Sequence, residues 1–473
     1  MKIKFGTGGW RAIIGDGFIR SNVEKVADAL AQIILEEGCE DEGVVLGFDR
    51  RFLSEEAAIW AACTLAANGV ICELIDRETP TPVIMFQVEK QARPYGMAIT
   101  ASHNPATYNG IKLFQAGGRD AELSFTNKVE SIIEAREGEE IPTMDFEEAK
   151  AKSLIKLINP MNAYLDNILA AVDSRAIRER GLKVAFDPMF GVGKTPMLTL
   201  LYTLRCEVDI IHAQRDTLFG GRLPAPTNQT LASLKNHVRE GEFDLGLATD
   251  GDADRLGVID EKGNFLHFNK VLVLLYWYLL KYKKWSGPVV RNLSTTHLLD
   301  KVAESFGETC YEVPVGFKYI SEKMAETDAI LGGESSGGLT VSGHIHGKDG
   351  VYSGALLIEM LSVTGQSLSS LWQTIEDEYG HYEMIEREYR FSAKKKAAVE
   401  KILLEDKKIP EFPKAIDKVS YMDGCKVYFE DDSWVSVRFS GTEDLMRIFC
   451  EMPDEEEAIS VIRAWERFLD IKD

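Results

Sequence analysis

The sequence predicts an α/β protein of about three or four domains that ends in a smaller α+β unit. Three observations support this class. The chain has 473 residues, and a domain usually holds about 100–200 residues. Short apolar segments alternate with helix-like segments over most of the length, which is typical of parallel sheets with crossover helices. Beyond about residue 380 the apolar segments follow one another and lead to one last helix.

The predicted strands are short and mostly apolar. Residues 43–48 (GVVLGF) form the first, and the alanine-rich helix predicted over 54–68 begins with Ser54, a residue that suits a helix start. Further strands are predicted at residues 70–75, 95–100, 182–186, 244–249, 288–290 and 329–331. Several of them end in polar or glycine-rich loops. Ligands usually bind at the carboxyl ends of strands in α/β sheets, so these loops are the candidate functional segments.

Changes in composition indicate the domain boundaries. The charged segment 121–151 closes the first unit, and a new helix and strand follow it. The predicted domains are residues 1–155, 156–259, 260–375 and 376–473. The last of these contains apolar segments at 426–429, 434–439 and 446–451 and a helix over 455–469, which predicts an α+β arrangement.

The composition excludes several classes of protein. Asp and Glu number 75 against 54 Lys and Arg, so the formal net charge is −21, while 45% of the residues are hydrophobic and 27% are charged. These fractions are ordinary for a folded globular chain. The negative charge argues against nucleic acid or an anionic membrane as the main partner. An anionic substrate would need positive charge gathered locally in a cleft.

The sequence shows neither a membrane span nor a secretory signal. Its most membrane-like apolar segment, 271–280 (VLVLLYWYLL), is much shorter than the roughly 20 residues that cross a bilayer. The amino terminus lacks the apolar core of a signal peptide. Seven scattered cysteines without a CxxC pair predict reduced thiols and no zinc site. We therefore expect a cytoplasmic protein.

The first candidate loop is TASHNP at 100–105, directly after a predicted strand. Ser102 beside His103 suits a nucleophile at the ligand side of a sheet. A turn that caps a helix would use the same residues, and that alternative stays open.

The second candidate loop is DGDADR at 250–255. Asp250, Asp252 and Asp254 leave a strand together and would repel one another unless a cation neutralises them. Carboxylate oxygens suit Mg²⁺, so this loop predicts a magnesium site rather than a solvated acidic turn.

Two further loops suit a sugar and an anion. GGESSGG at 332–338 combines flexible glycines with the Glu334 carboxylate and two hydroxyls, which suit sugar hydroxyl groups. RFSGTEDLMR at 438–447 places Ser-Gly-Thr between Arg438 and Arg447, which suits an anion held by backbone N–H groups and guanidinium forks. A flexible loop and an exposed hairpin turn are the respective alternatives.

Together these loops resemble the α-D-phosphohexomutase superfamily. The matching segments occur in that family's order and span nearly the whole chain: FGTGGWR at 5–11, TASHNP at 100–105, NGIK at 109–112, DGDADR at 250–255, GGESSG at 332–337 and RFSGTE at 438–443. The resemblance implies four domains around a central cleft. Three would be related α/β domains with mixed, mostly parallel sheets, and the fourth a smaller C-terminal α+β domain.

The resemblance also implies roles for the reacting residues. Ser102 would carry a phosphoryl group, and Asp250, Asp252 and Asp254 would hold Mg²⁺ together with a phosphoserine oxygen. Phosphoserine brings about −1.5 to −2 charge, which the cation would offset. The family's arginines near the reacting phosphoryl group match Arg11 and Arg255. The candidates for the proton transfers are Lys112, ranked first as general base, and His103.

The remaining assignments concern the substrate and follow from the same resemblance. Glu334 and Ser336 would bond the ring hydroxyls. The phosphate clamp of the last domain would comprise Arg438, Ser440, Gly441, Thr442 and Arg447. Lys318 lies in VGFKYI, which resembles the family's specificity segment. His344 and Lys348 lie in a stretch that resembles HxxxKDG of phosphoglucomutases.

The function expected from this resemblance is that of a phosphoglucomutase. It would interconvert glucose 1-phosphate and glucose 6-phosphate, with a hexose 1,6-bisphosphate as intermediate and activator. Alternatives with the same residues are a hexose 1,6-bisphosphate synthase, a phosphomannomutase and a phosphoglucosamine mutase. Other classes are a catalytically idle sugar-phosphate-binding protein and a magnesium-dependent phosphatase. The expected partners are small sugar phosphates, and the sequence does not predict an oligomeric state.

Overall fold

The computed structural model describes residues 2–6, 8–439 and 445–471, and within them the strands form four separate sheets. The first three sheets mix parallel and antiparallel pairs and are packed with helices, and the last is antiparallel. The α/β class with a different C-terminal domain is therefore confirmed. Below, the four sheets with their helices are called domains I to IV.

Domain I carries the longest sheet, in the order β1-β5-β4-β2-β3-β7 with β6 beside β5. Strands β2, β3, β4 and β7 are mutually parallel, while β5 runs antiparallel to its three neighbours β1, β4 and β6. Its strands are β1 Trp10–Ile13, β2 Val44–Phe48, β3 Cys72–Ile75, β4 Tyr95–Ile99, β5 Tyr108–Gln115, β6 Arg119–Asp120 and β7 Ile155–Ile158. Its helices are α1 Arg20–Glu37, α2 Ser54–Ala67, α3 Thr81–Lys90, α4 Leu123–Ala135 and α5 Phe146–Ala151.

Domain II has the sheet order β12-β11-β10-β8-β9, with parallel pairing only among β10, β8 and β9. The strands are β8 Lys183–Asp187, β9 Glu207–Ile210, β10 Leu245–Thr249, β11 Leu256–Ile259 and β12 Phe265–Leu266. The helices are α6 Met161–Ala171, α7 Ser174–Arg180, α8 Lys194–Thr203 and α9 Ala232–Glu240, with a short 3₁₀ turn at Phe219–Gly221.

Domain III has the sheet order β14-β13-β15-β16. Its strands are β13 Val289–Asn292, β14 Cys310–Val313, β15 Leu331–Glu334 and β16 Gly338–Val341, and its helices are α10 Phe268–Lys281, α11 Leu298–Ser305, α12 Phe317–Thr327, α13 Gly350–Thr364 and α14 Leu368–Tyr379. The apolar segment at 271–280 lies in α10, where it is buried in the core. Among the described helices, none combines the length and apolar character needed to traverse a lipid bilayer.

Domain IV has the antiparallel order β17-β21-β20-β19-β18. Its strands are β17 Glu383–Arg390, β18 Ile416–Ser420, β19 Cys425–Phe429, β20 Trp434–Phe439 and β21 Leu445–Met452. Helix α15 Ala393–Glu400 continues into a π-helical turn at Lys401–Glu405, and α16 Glu455–Leu469 packs its apolar face on the sheet.

The predicted domain boundaries do not coincide with the ends of the sheets. The boundary after 155 falls inside β7, which still pairs with β3. The boundary after 259 separates β11 from its antiparallel partner β12. The boundary after 375 falls inside α14. Composition changes gradually at such junctions, because elements on both sides contribute apolar residues to a shared core. That core includes side chains of α3, β8, β10, α10 and α13, so it joins domains I, II and III.

Domain IV is attached to domain III by a buried ionic contact. Lys426 of β19 donates to Glu312 of β14 at 2.6 Å, to the Leu293 carbonyl at 2.7 Å, and meets the His297 ring nitrogen at 3.0 Å. Arg291 of β13 pairs with the same oxygen of Glu312, Oε2. Burial, followed by the charge of Arg291, lowers the pKa of Lys426 to about 7. Breaking such a pair would leave a buried charge uncompensated, so the contact fixes where domain IV sits.

Candidate active site

Ser102 lies at the carboxyl end of β4, at the ligand side of the first sheet. Its φ is +51°, which is uncommon for a residue with a side chain and is typical of functional turns. Its N–H donates to the Thr100 hydroxyl at 2.9 Å, and that hydroxyl donates to Asp49 at 2.6 Å. The hydroxyl of Ser102 donates to Asp250 of domain II at 2.9 Å. The predicted nucleophile and the predicted metal loop therefore meet.

Arg51 holds the serine loop in shape. Its guanidinium donates to the carbonyl oxygens of Ser102 (2.7 Å), Asn104 (2.6 Å), Pro105 (2.8 Å) and Tyr108 (3.0 Å). The side chain is fully buried, and Asp49 lies 3.3 Å from its Nε. Sequence reasoning missed both residues. The available signal was FDRR at 48–51, a charged run directly after a buried strand.

The three aspartates of the second loop follow β10 and are completely or almost completely buried. One oxygen of each lies within 4.8 Å of the others. Gly251 lets this loop approach the serine loop, because a Cβ there would lie 2.6 Å from the Ser102 carbonyl oxygen. Thr81 at the start of α3 donates its hydroxyl to Asp252 at 2.8 Å. Thr81 is a further contact that sequence reasoning missed.

Two lysines from other domains face the aspartates. Lys112 of β5 donates to Asp252 at 2.6 Å and to Asp254 at 2.8 Å. Lys348 of domain III lies 3.1 Å from Asp254. Burial disfavours a charged lysine, but the charges of Asp252 and Asp254 outweigh it and raise the pKa of Lys112. This pKa favours a protonated Lys112 in this arrangement. The role of general base that the sequence predicted for it stays a prediction.

The aspartate cluster suits a divalent cation. Asp252 Oδ1 and Asp254 Oδ1 are buried and have no hydrogen-bond partner, although buried polar atoms nearly always have one. Burial and then the charges of Asp252 and Asp254 raise the pKa of Asp250 well above its ordinary value. At Asp254, burial is outweighed by Lys112 and then Lys348, so the pKa lies well below its ordinary value. Carboxylate oxygens in this number are what Mg²⁺ prefers.

His103 lies beside the Ser102 hydroxyl, and the charges of two arginines act on its ring. The His103 ring nitrogen lies 3.2 Å from Ser102 Oγ. The charge of Arg255, then burial, then the charge of Arg11 hold the pKa of His103 well below its ordinary value, which favours the neutral ring. The guanidinium of Arg11 bonds the Asn104 side chain, and Arg255 Nε is buried without a hydrogen-bond partner. Arg255 therefore has a spare donor, and two arginines whose charges act on His103, next to Ser102, suit the binding of a phosphoryl group.

The sugar loop of domain III docks on the metal loop. The Leu256 N–H donates to the Gly337 carbonyl at 2.9 Å, and the Gly350 N–H donates to the Ala253 carbonyl at 3.1 Å. Within this loop Ser336 donates to the Glu334 carboxylate at 2.9 Å. The contact of Gly337 with Leu256 joins the loop that holds the predicted ring-binding pair to the strand directly after the aspartate loop.

Lys318 lies at the start of α12, beside a cavity of about 180 Å³ between domains I and III. The cavity is also lined by Arg119 and Asp120 of domain I. Asp120 interacts electrostatically with Lys348 and Lys112, so the cavity adjoins the aspartate cluster.

The arginines of the predicted phosphate clamp lie in domain IV. Arg438 and Arg447 are directly opposite each other in the β20–β21 register, so their side chains share a face. Arg438 is paired with Asp423 at 2.8 Å and Arg447 with Glu388 at 3.1 Å. The other predicted members, Ser440, Gly441 and Thr442, lie outside the described residues. No contact between Arg438 or Arg447 and the aspartate cluster is found among the described residues.

The structure does not bring His344 to this site. Its side chain is only 1% exposed, and its ring bonds Asp349 at 2.7 Å and Asn167 at 3.0 Å. It packs against the rings of Tyr164 and Tyr352. Lys348 and His344 belong to one sequence motif but have different surroundings. Lys348 lies against Asp254, whereas His344 is buried in the core.

Four domains of one protein family match successive parts of the chain. They are described as Phosphoglucomutase/phosphomannomutase, alpha/beta/alpha domains I, II and III, at residues 2–140, 162–263 and 267–379, and the C-terminal domain of the same family, at 392–464. Together they span most of the chain.

Individual relatives match over nearly the full length. A Thermococcus kodakarensis protein named phosphoglucomutase/phosphomannomutase is 32% identical over 458 residues, which cover 96% of this chain and 95% of the relative. A Sulfurisphaera tokodaii protein named phosphoglucosamine/phosphogalactosamine mutase is 29% identical and is matched over 99% of both chains. A Thermus thermophilus structure described as a phosphomannomutase superposes with a TM-score of 0.86, at 27% identity and 99% coverage of both chains.

Adding Mg²⁺ should stabilise the folded protein, because the aspartate cluster binds the ion only when it is assembled. At a free concentration of 100 times Kd the gain is about 2.7 kcal/mol. The thermal unfolding midpoint should rise with Mg²⁺ for the wild type and stay constant for Asp252→Asn. Asp417→Asn, which changes an exposed aspartate of β18, is the matched control and should respond like the wild type. An equal response from Asp252→Asn would contradict the site.

Proposed function

The chain belongs to the phosphoglucomutase/phosphomannomutase family, and on that premise we propose that it moves a phosphoryl group between the C1 and C6 oxygens of a hexose monophosphate. Membership makes it an intramolecular phosphotransferase of the phosphohexomutase type. The observation that carries the proposal is the hydrogen bond from Ser102 to Asp250 at 2.9 Å, next to His103, on which the charges of Arg255 and Arg11 act. This is the environment that a serine which accepts and donates a phosphoryl group requires.

The transfer step uses the residues around Ser102. Phosphorylated Ser102 faces a free hydroxyl of the sugar phosphate. The sugar oxygen forms a bond to phosphorus, the bond from phosphorus to Ser102 Oγ breaks, and the proton of the sugar hydroxyl ends on Oγ. Arg11 and Arg255 donate to the phosphoryl oxygens, which carry negative charge throughout. Asp250, Asp252 and Asp254 would hold Mg²⁺, which supplies further positive charge to the transferring group when bound.

The proton needs a group with a free lone pair near Oγ. His103 is neutral and its ring nitrogen lies 3.2 Å from Ser102 Oγ, whereas Lys112 keeps its proton between two carboxylates. We therefore assign the proton relay to His103 and give Lys112 the task of orienting Asp252 and Asp254. This assignment departs from the one expected from the sequence.

The product of the first transfer is a hexose 1,6-bisphosphate. It must turn end over end, so that Ser102 takes back the other phosphoryl group. The second phosphate binds each time at the same remote position, for which Arg438 and Arg447 are the proposed partners. Arginine guanidinium groups bind a phosphate whichever sugar carbon carries it, so they suit a site that must hold either phosphate of the sugar.

We propose that the substrate is a mannose or an amino-sugar phosphate in preference to a glucose phosphate. The expectation of glucose is not confirmed, and the names of the relatives from Sulfurisphaera and Thermus favour the alternatives. Glucose, mannose and glucosamine phosphates differ at C2. Glu334 and Ser336 offer a carboxylate and a hydroxyl, which bond hydroxyl and amino groups alike, so we expect activity with more than one sugar.

Turnover of the 1-phosphates of mannose, glucosamine and glucose to their 6-phosphates tests the proposal. With Mg²⁺ and a trace of the matching 1,6-bisphosphate, kcat/KM should be larger for mannose or glucosamine than for glucose. Ser102→Ala should lower turnover of every sugar by at least about 1,000-fold, because the covalent step is lost. Release of the 1,6-bisphosphate as the main product would indicate a bisphosphate synthase, and steady release of inorganic phosphate would indicate a phosphatase.

His103→Gln should lower kcat by about 100- to 10,000-fold, because glutamine forms hydrogen bonds but does not accept the proton. KM should change little, since the phosphate contacts remain. His237→Gln in α9 is the matched control and should keep wild-type activity. If His103→Gln retains kcat within about threefold, the proton relay lies elsewhere, and Lys112→Gln becomes the next variant to compare.

A further inference from the structure

Asp423 lies in the tight turn between β18 and β19 of domain IV. Gly424 follows it with φ +85°, and a Cβ at that position would lie 2.2 Å from the Val437 carbonyl oxygen. Only glycine therefore lets the turn press so closely on β20, one residue before Arg438. The position of Asp423 relative to Arg438 is thus set by backbone packing.

One carboxylate oxygen of Asp423 accepts hydrogen bonds from two domains. Asp423 Oδ2 accepts from Arg438 Nε at 2.8 Å and from the backbone N–H of Val315 in domain III at 3.0 Å. The side chains of Asp423 and Arg438 are both about three quarters buried, at 25% and 22% exposure. An ion pair at this degree of exposure contributes little to stability by itself. Its geometry, however, constrains both of the groups that it joins.

The two groups lie in the two segments to which the proposed function assigns phosphate binding and sugar specificity. Arg438 uses Nε for Asp423, and no hydrogen bond from its two terminal nitrogens is found among residues 2–6, 8–439 and 445–471. The pair therefore orients two nitrogens that suit a phosphate. Val315 comes three residues before Lys318, so holding its N–H fixes the start of α12 and the edge of the adjoining cavity. Arg438 and the specificity segment that contains Val315 therefore both donate to the same oxygen atom, Asp423 Oδ2.

We propose that Asp423 is a positioning residue that orients Arg438 for the non-reacting phosphate and couples domain IV to the specificity segment of domain III. The inference rests on the proposed function in one respect, namely that Arg438 binds a sugar phosphate. Asp423 itself touches neither the reacting hydroxyl nor the transferring phosphoryl group. Its removal acts through Arg438 and Val315.

Variants at Asp423 should still fold. The buried contact of Lys426 with Glu312 and the hydrogen bond from the His297 N–H to Glu451, at 2.8 Å, join domains III and IV elsewhere. The domain interface therefore does not depend on Asp423. Changes in the variants report on alignment rather than on loss of the interface.

The experiment measures binding as well as turnover. Binding of mannose, glucosamine and glucose 6-phosphates is followed by calorimetry for the wild type, Asp423→Ala, Asp423→Asn and the exposed control Asp417→Asn. Asp423→Ala should raise Kd and KM about tenfold or more with kcat within about threefold, because a charged hydrogen-bond acceptor is lost. Asp423→Asn keeps a neutral hydrogen-bond acceptor and should raise Kd and KM less than Asp423→Ala does. Amide exchange of the Val315 segment should speed up in Asp423→Ala only.

A double-mutant cycle separates positioning from a general structural effect. In an Arg438→Ala background, Asp423→Ala should change Kd by less than about twofold, because its effect passes through the arginine. The proposal would be overturned if Asp423→Ala raised Kd by the same factor in the wild type and in Arg438→Ala. It would also be overturned if Asp423→Ala left Kd unchanged in the wild type. If the wild type binds a 6-phosphate but turns over none, the proposed function fails while the cycle still decides the role of Asp423. If no 6-phosphate binds, Arg438 is not a phosphate site and the role of Asp423 falls with it.

Discussion

The mutual repulsion of Asp250, Asp252 and Asp254 governs how the rest of this molecule is arranged. Burying three carboxylates within 4.8 Å would cost several kcal/mol per charge if nothing offset it. Lys112 arrives from domain I and Lys348 from domain III, while the aspartates themselves belong to domain II. Arg255 of the same loop contributes as well, but the two lysines reach the aspartates only when the three domains are packed together. The apolar core that runs through those domains holds them in that relation.

In this arrangement domains I to III and domain IV have different roles. Domains I to III share a core and build the transfer site around Ser102, where small displacements would disturb the contact with Asp250. Domain IV has its own core and meets domain III through polar contacts, among them Lys426 with Glu312 and Asp423 with Val315. A remote phosphate-binding unit held by polar contacts suits a reaction in which the intermediate must turn over between two transfers.

Much of the fold and part of the site could be predicted from the sequence. The α/β class and the acidic loop after a strand follow from local patterns, and the structure brings Ser102 to Asp250 as the motifs imply. Arg51 could not be predicted, because its role consists of bonds to the carbonyls of a loop about 50 residues away. His344 was misplaced for a similar reason: Asn167, its partner in domain II, lies far away in sequence. The protonation of Lys112 and His103 also depends on neighbours from other domains.

The most direct test of the central claim is transfer of a labelled phosphoryl group. The protein is incubated with Mg²⁺ and phosphorus-labelled glucose 1,6-bisphosphate, digested and mapped, and a second sample is chased with unlabelled mannose 6-phosphate before digestion. The account predicts one label per chain on the peptide that contains Ser102, and its passage to the sugar during the chase. A label on another residue, no label, or its release as inorganic phosphate during the chase would contradict the account.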